Sequence, residues 1–137
     1  MEAEIKQVKG LTFIAKADSN HWITVDGPKQ FFGSEAASRP MELLLIALGT
    51  CTASDVVAIL QKKRVTLKKF EVKLRAERAE EHPKIFTKIH IEYLIGGDNI
   101  QERDVERAIE LSQEKYCPIS AMLRKAAELT YSYQILK

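Results

Sequence analysis

The feature that most constrains the fold is an uncharged, largely apolar run over residues 43–54, closed by Glu42 and Asp55. The surrounding pattern predicts a helix over residues 41–64 that is apolar almost all the way round through Leu48. A helix that is hydrophobic on every side must be covered on every side. The flanking charges keep the run below the roughly 18 residues of a membrane span, so we expect a buried central helix in a soluble protein.

The sequence pattern predicts three strands before this helix and two strands after it. Three short strands come first, interrupted at Gly10 and closed by the turn signal Asp26-Gly27-Pro28. After the helix, residues 70–77 and 85–93 alternate apolar and polar side chains, which is typical of strands with one buried face.

The last third predicts two helices and a strand. Asn99 and Glu102 resemble a capping box, which opens a helix that ends near Tyr116. Pro118 suits the first position of a second, short helix. Residues 129–135 then alternate as a final strand.

The predicted order is therefore β-β-β-α-β-β-α-α-β, an α+β class with an antiparallel sheet, in a single domain over residues 1–137. One small sheet can cover one face of the central helix, and the two later helices another. An all-apolar helix needs more cover, so we expect a second copy of the chain and a homodimer buried along this helix.

Composition excludes several function classes. The formal net charge is +2, with lysine and glutamate interleaved and without a basic block, which argues against a nucleic acid partner. Residues 1–6 lack the features of a secretion signal, and we expect a cytoplasmic protein without a membrane partner. The three histidines and two cysteines show no metal-ligand spacing, and phosphate-loop and dinucleotide motifs are absent, so no metal or cofactor is expected.

The two cysteines are the strongest candidates for chemistry. Cys51 lies in the apolar helix among small residues, where the alternative is a buried hydrophobic side chain. Cys117 precedes Pro118, which predicts that it caps the following helix, where nearby N–H groups favour the thiolate. The alternative there is a cap position where cysteine merely fits. If the fold joins the two sulfurs, the chain is a dithiol redox protein.

Two charged residues at the start of the central helix are further candidates: Arg39 precedes the helix and Glu42 lies in its first turn. Glu42 either complements the helix dipole or orients a site arginine. Arg39 is the only arginine before the helix. It is either a surface cation or a group that holds a cysteine thiolate and polarises a substrate oxygen.

Two stretches carry a more specific pattern: Arg39-Pro40-Met41-Glu42-Leu43-Leu44 leading to Gly49-Thr50-Cys51-Thr52, and Lys115-Tyr116-Cys117-Pro118-Ile119-Ser120. They resemble the motifs of the OsmC/Ohr family, the osmotically inducible protein C and organic hydroperoxide resistance proteins. The resemblance covers nearly the whole chain in element order. It is closest to the branch whose helix starts with Pro-Met-Glu-Leu-Leu.

The resemblance implies an intertwined homodimer with two sites at the subunit interface, acting on organic hydroperoxides without haem or metal. Cys51 matches the peroxidatic cysteine, which becomes a sulfenic acid. Cys117 matches the resolving cysteine, which closes a disulfide that a small dithiol or a dithiol protein reduces. The residues themselves place the lower pKa at Cys117, whereas the family places first attack at Cys51.

The chain departs from the family at the charged pair. The family's glutamate directly follows the proline, but here Met41 stands there and Glu42 comes one residue later, a rotation of about 100° on a helix. The family's site arginine comes from the N-terminal strands, and Arg39 replaces it only if its loop folds back over the site.

Three hypotheses follow. The first is a thiol-dependent peroxidase of OsmC type that serves in oxidative stress defence. The second is a redox sensor, or a dimer that binds a small apolar or electrophilic ligand in the same cleft, without efficient peroxidase activity. The third is a structural dimer with ordinary thiols.

Overall fold

The computed structural model describes residues 1–137 and has the element order expected from the sequence. The expected α+β class is confirmed. The elements are β1 (Ala3–Lys9), β2 (Thr12–Ala17), β3 (Ile23–Val25), α1 (Pro40–Lys62), β4 (Thr66–Arg78), β5 (Phe86–Asp98), α2 (Glu102–Leu111), α3 (Pro118–Leu123) and β6 (Glu128–Leu136).

The chain divides into two units, Met1–Ile46 and Ala47–Lys137. In the first unit, β1, β2 and β3 form an antiparallel three-stranded sheet in chain order. Gly10 has a φ of 56° between β1 and β2, a left-handed conformation that glycine adopts without strain.

Asp26 organises the loop that follows β3. Its carboxylate accepts the Thr12 hydroxyl at 2.9 Å and the backbone N–H groups of Gly27, Ser34 and Ala36 at 2.8, 3.0 and 3.1 Å. These bonds, led by the one from Ser34, lower the pKa of Asp26 to about 2. A buried carboxylate thus stabilises the turn that Asp26-Gly27-Pro28 predicts and the loop that follows it.

The second unit contains a mixed sheet in the order β4-β5-β6. The strands β4 and β5 are antiparallel, but β6 runs parallel to β5. The expectation of an antiparallel sheet is therefore wrong for β6. The helical segment between β5 and β6 carries the chain back across the sheet, and such a crossover allows parallel pairing.

The core of this unit lies between β5 and one stripe of α1. The inward side chains of β5 are fully or nearly fully buried, among them Ile89, Ile91, Tyr93 and Ile95. The buried residues of α1 recur at helical spacing, Leu48, Gly49, Thr52, Val56 and Leu60. A Cβ atom at Gly49 would come within 2.7 Å of the Leu74 side chain on β4, so the glycine allows helix and sheet to approach closely.

The apolar part of α1 is longer than the uncharged run of residues 43–54. By length and composition alone, α1 could cross a membrane, because its most apolar 18-residue window has a mean hydropathy of 2.1. The expectation that Glu42 and Asp55 leave the segment too short is therefore wrong. The buried stripe identifies α1 as a core helix of this fold rather than a clear membrane span.

The entry to α2 also differs from the expectation. Asn99 has a φ of 60°, outside the geometry of an N-cap residue, and α2 begins at Glu102 after Gln101 without a side-chain cap. The predicted capping box is therefore wrong. Beyond α2, the chain continues as a π-helical turn, Ser112–Tyr116, which leads directly to Cys117.

Candidate functional site

The structure brings Cys51 and Cys117 together within the second unit. Cys51 lies on α1, whereas Cys117 lies between the π-helical turn and α3. The two thiols are within hydrogen-bonding distance of one another, and neither is in a disulfide. Cys117 is buried and Cys51 is partly exposed, so the pair can be approached from the side of Cys51.

The start of α3 contacts both sulfur atoms. Cys117 is its N-cap residue, as expected, and its sulfur accepts the Ser120 N–H at 3.3 Å. The Ile119 N–H is directed at the sulfur of Cys51. Pro118 has no N–H group, so the first two donors of the helix serve one sulfur each.

The environment of Cys51 favours its neutral thiol. Burial raises the pKa of Cys51 to about 11, and the hydrogen bond to Cys117 and the negative charge of Asp55 act in the same direction. The Ile119 N–H opposes them. No cation is among the groups that act on this sulfur.

Arg39 and Glu42 lie at the start of α1 in the first unit. The Glu42 carboxylate accepts the backbone N–H of Arg39 at 2.8 Å, and the Arg39 guanidinium faces Glu35 at 3.9 Å. Glu42 is the acidic residue in the first turn of α1, the role that the helix dipole favours. The two side chains are not paired with one another in the structure, and a catalytic role for them stays a prediction.

A buried polar cluster lies beside the cysteine pair. The Thr52 hydroxyl, adjacent in sequence to Cys51, lies 2.6 Å from the Tyr93 hydroxyl and 2.7 Å from that of Ser112. The Gln113 side-chain amide donates to both Thr52 and Tyr93 at 3.1 Å. Ser112 in turn donates to Asp55 at 2.8 Å. Burial raises the pKa of Tyr93 to about 12, so its hydroxyl stays protonated.

The direction of these hydrogen bonds follows from the bond to Asp55. Because Ser112 gives its proton to the carboxylate, Thr52 must donate to Ser112, and Tyr93 must then donate to Thr52. Thr52 therefore donates once and accepts twice, which uses its full capacity. A cluster in which every member is satisfied specifies one arrangement of its residues.

This cluster was not among the candidate sites predicted from the sequence, although the sequence contains signals for two of its members, Thr52 and Tyr93. Thr52 occupies the apolar stripe of α1 with Leu48 and Val56, where a hydroxyl needs a partner. Tyr93 stands at an inward position of β5, where its hydroxyl has the same need. The chain contains no group of three or more histidine, cysteine or acidic residues that could hold a metal ion.

Comparison with known proteins agrees with this architecture. Residues 33–132 match the family model described as OsmC-like protein. Protein YhfA of Escherichia coli K12 is 45% identical over 136 residues, which is 99% of this chain and 98% of YhfA.

Solved structures share the fold. The crystal structure of a hypothetical protein from Aquifex aeolicus VF5 is 36% identical, with a TM-score of 0.86 over 98% of this chain and 95% of that one. An organic hydroperoxide resistance protein from Elizabethkingia anophelis has a TM-score of 0.72 at 17% identity, over 98% and 94% of the two chains. At that identity the likeness concerns the fold alone. The family model and the relatives together show that the chain belongs to the OsmC-like protein family.

Proposed function

We propose that the protein is a thiol-dependent peroxidase that reduces organic hydroperoxides through a dithiol–disulfide cycle of Cys51 and Cys117, in the cytoplasm. The observation that carries the proposal is the hydrogen-bonded contact between two free thiols, each of which also receives a backbone N–H from α3. A purely structural cysteine does not need a second thiol beside it.

The cycle has three steps. The Cys51 sulfur attacks one oxygen of ROOH, the O–O bond breaks, ROH leaves with the thiol proton, and Cys51 becomes a sulfenic acid. The Cys117 sulfur then attacks the Cys51 sulfur, releases water and forms the disulfide. An external dithiol, small or protein-borne, reduces the disulfide to two thiols and becomes a disulfide itself. The protein needs no metal or other cofactor for these steps.

Ser120 supports this assignment. Its hydroxyl is fully buried and has no hydrogen-bond partner, although its N–H donates to the Cys117 sulfur. An unpaired buried hydroxyl is costly and is retained where function requires it. We propose that this hydroxyl donates to the oxygen of the sulfenic acid formed at the cysteine pair, because the backbone N–H of the same residue already reaches the Cys117 sulfur.

The exposed apolar surface supports a homodimer, and we propose that it takes the intertwined form that the family resemblance implies. Most of α1 is not fully buried in one chain, and Leu44 and Ile46 are 36% and 50% exposed. Large apolar side chains exposed in this way are suited to burial against a second copy. We further propose that residues 1–137 act as one OsmC-like domain, because YhfA matches 99% of the chain.

A second candidate function is a redox sensor or a ligand-binding dimer with the same dithiol. The raised pKa of Cys51 and the pairing of Arg39 with Glu35 favour it, because neither activates the thiol toward peroxide. In the peroxidase hypothesis, Arg39 and Glu42 replace the family's activating pair. An Arg39→Gln variant that reacts with peroxide as fast as the parent protein would exclude that role.

Steady-state turnover tests the proposal. Reduced protein is mixed with cumene hydroperoxide or hydrogen peroxide, with dihydrolipoamide as reductant. We expect faster turnover with the organic hydroperoxide, loss of turnover in Cys51→Ser, and a trappable sulfenic acid in Cys117→Ser. Oxidation of the dithiol without turnover would favour the sensor, and equal peroxide reduction by both variants and the parent would exclude the proposed peroxidase cycle.

A further inference from the structure

We propose that Thr52, Ser112, Gln113 and Tyr93 are positioning residues that hold Cys117 in reach of Cys51. This inference rests on the proposed dithiol function and goes beyond it, because it assigns the geometry of the pair to a buried cluster. The four residues are at most 3% exposed, and none of them is a nucleophile of the proposed cycle.

The cluster is attached to the backbone on both sides of the cysteine pair. Thr52 follows Cys51 on α1. Ser112 begins the π-helical turn, and its carbonyl oxygen accepts the N–H of Cys117 at 2.8 Å. The side-chain hydrogen bond between Thr52 and Ser112, 2.7 Å long, therefore joins the two chain segments that carry the thiols.

The π-helical turn explains how the hydrogen bonds to Thr52 affect the position of Cys117. A π-helical turn is a local departure from α-helix, and such turns are frequent at functional sites. If the turn relaxed by one residue to α-helix, the following residue would rotate by about 100° about the helix axis. Ser112 and Gln113, the first two residues of the turn, are both bonded to Thr52. Their anchoring opposes such a rotation of Cys117.

Tyr93 fixes the cluster to the sheet. Its hydroxyl donates to Thr52 and accepts from Gln113, so the inner face of β5 holds the helix and the turn together. The Gln113 carbonyl oxygen accepts Arg124 at 3.4 Å, which fixes the orientation of the amide. The effective concentration that one thiol presents to the other is very high when the two are well oriented, and it falls steeply when that geometry is lost.

The test measures the equilibrium of the dithiol with glutathione under native conditions. In this exchange, one glutathione disulfide and the protein dithiol give the Cys51–Cys117 disulfide and two reduced glutathione molecules. No peroxide is involved, so the test does not depend on peroxidase activity. A role confined to stability would leave this equilibrium of the folded protein unchanged.

We expect Thr52→Val to lower the equilibrium constant for disulfide formation at least tenfold, a shift of about 30 mV for a two-electron couple. The Thr52→Ser variant, which keeps the hydroxyl, should have the equilibrium constant of the parent protein. The matched control is Thr50→Val, because the Thr50 hydroxyl donates to the Ala47 carbonyl on its own helix. If Thr52→Val does not fold, Tyr93→Phe tests the same link, with Tyr133→Phe, whose exposed hydroxyl donates to Glu106, as control.

The outcomes are distinct. An unchanged equilibrium constant in Thr52→Val, or in Tyr93→Phe where the valine variant does not fold, would overturn the inference and leave the proposed function standing. A parent protein that forms no disulfide at any glutathione ratio would overturn both. A selective loss in the cluster variants, with both controls at the parent value, is the result that we expect.

Discussion

Replacing Cys117 by alanine is expected to lower the pKa of Cys51 from about 11, but to leave it above the ordinary thiol value of 9.0. Burial, the largest cause of the raised pKa, remains in the variant. The hydrogen bond to Cys117, the second cause, is lost, while the Ile119 N–H still favours the thiolate. The charge of Asp55, the smallest of the causes, is unchanged.

The expected change in reactivity follows from these limits. A thiol with a pKa of about 11 is ionised to roughly one part in ten thousand at about pH 7, and each unit by which the pKa falls raises that fraction tenfold. The intrinsic nucleophilicity of the thiolate falls at the same time, so the alkylation rate gains only about threefold per unit. Across the range between 9.0 and about 11, the gain is at most about tenfold.

The assay is alkylation of Cys51 by iodoacetamide as a function of pH, followed by mass spectrometry so that each cysteine is scored separately. Cys117→Ser is the matched control, because its hydroxyl oxygen can still accept from Cys51. We expect the serine variant to lie between the alanine variant and the parent. An alanine variant in which the pKa of Cys51 is unchanged or higher would refute the reasoning, as would a parent Cys51 that ionises below 9.0.

Four further predictions concern pH, stability and assembly. The reaction of Cys51 with an organic hydroperoxide should accelerate with rising pH up to its pKa of about 11, which stopped-flow measurement of thiol loss checks. Since the pKa of Asp26 is lowered from 3.8 to about 2, its contribution to stability is complete above pH 3.8 and is lost as the pH falls toward 2. The Asp26→Ala variant should therefore unfold at a lower urea concentration than the parent in neutral solution, and its stability should fall less than that of the parent between pH 3.8 and pH 2. Gly97→Ala should destabilise the fold by about 2 kcal/mol or more in denaturant unfolding, because Gly97 has a φ of 155° and an added Cβ would overlap the Thr66 carbonyl. Ile46→Lys should shift a homodimer toward monomer in sedimentation, since it places a charge on the exposed apolar part of α1.

Much of the fold could be predicted because it depends on local periodicity. The alternation in β4 and β5 and the apolar pattern of α1 are visible along the chain, and the N-cap role of Cys117 follows from the proline after it. The direction of β6 was missed, because an alternating strand pairs equally well in either direction. Only the crossover through α2 and α3 decides it.

The candidate site was harder to predict than the fold. The sequence indicates that the two cysteines are candidates for chemistry. It does not indicate that the hydroxyls of Thr52, Tyr93 and Ser112 meet beside them, because these residues lie on α1, on β5 and in the π-helical turn. The sequence predicts a thiolate-favouring field at Cys117, whereas the resolved perturbation concerns Cys51, where burial raises the pKa to about 11 and favours the neutral thiol. Burial by distant segments determines that shift, and no local pattern encodes it.

The most direct test of the account is to treat the fully reduced protein with one equivalent of cumene hydroperoxide and to map the products by mass spectrometry. We predict one intramolecular Cys51–Cys117 disulfide per chain, a loss of two hydrogen atoms, and one molecule of the alcohol released. Both thiols remaining free while the hydroperoxide persists would contradict the account, and so would a Cys51→Ser variant that consumes it at the parent rate.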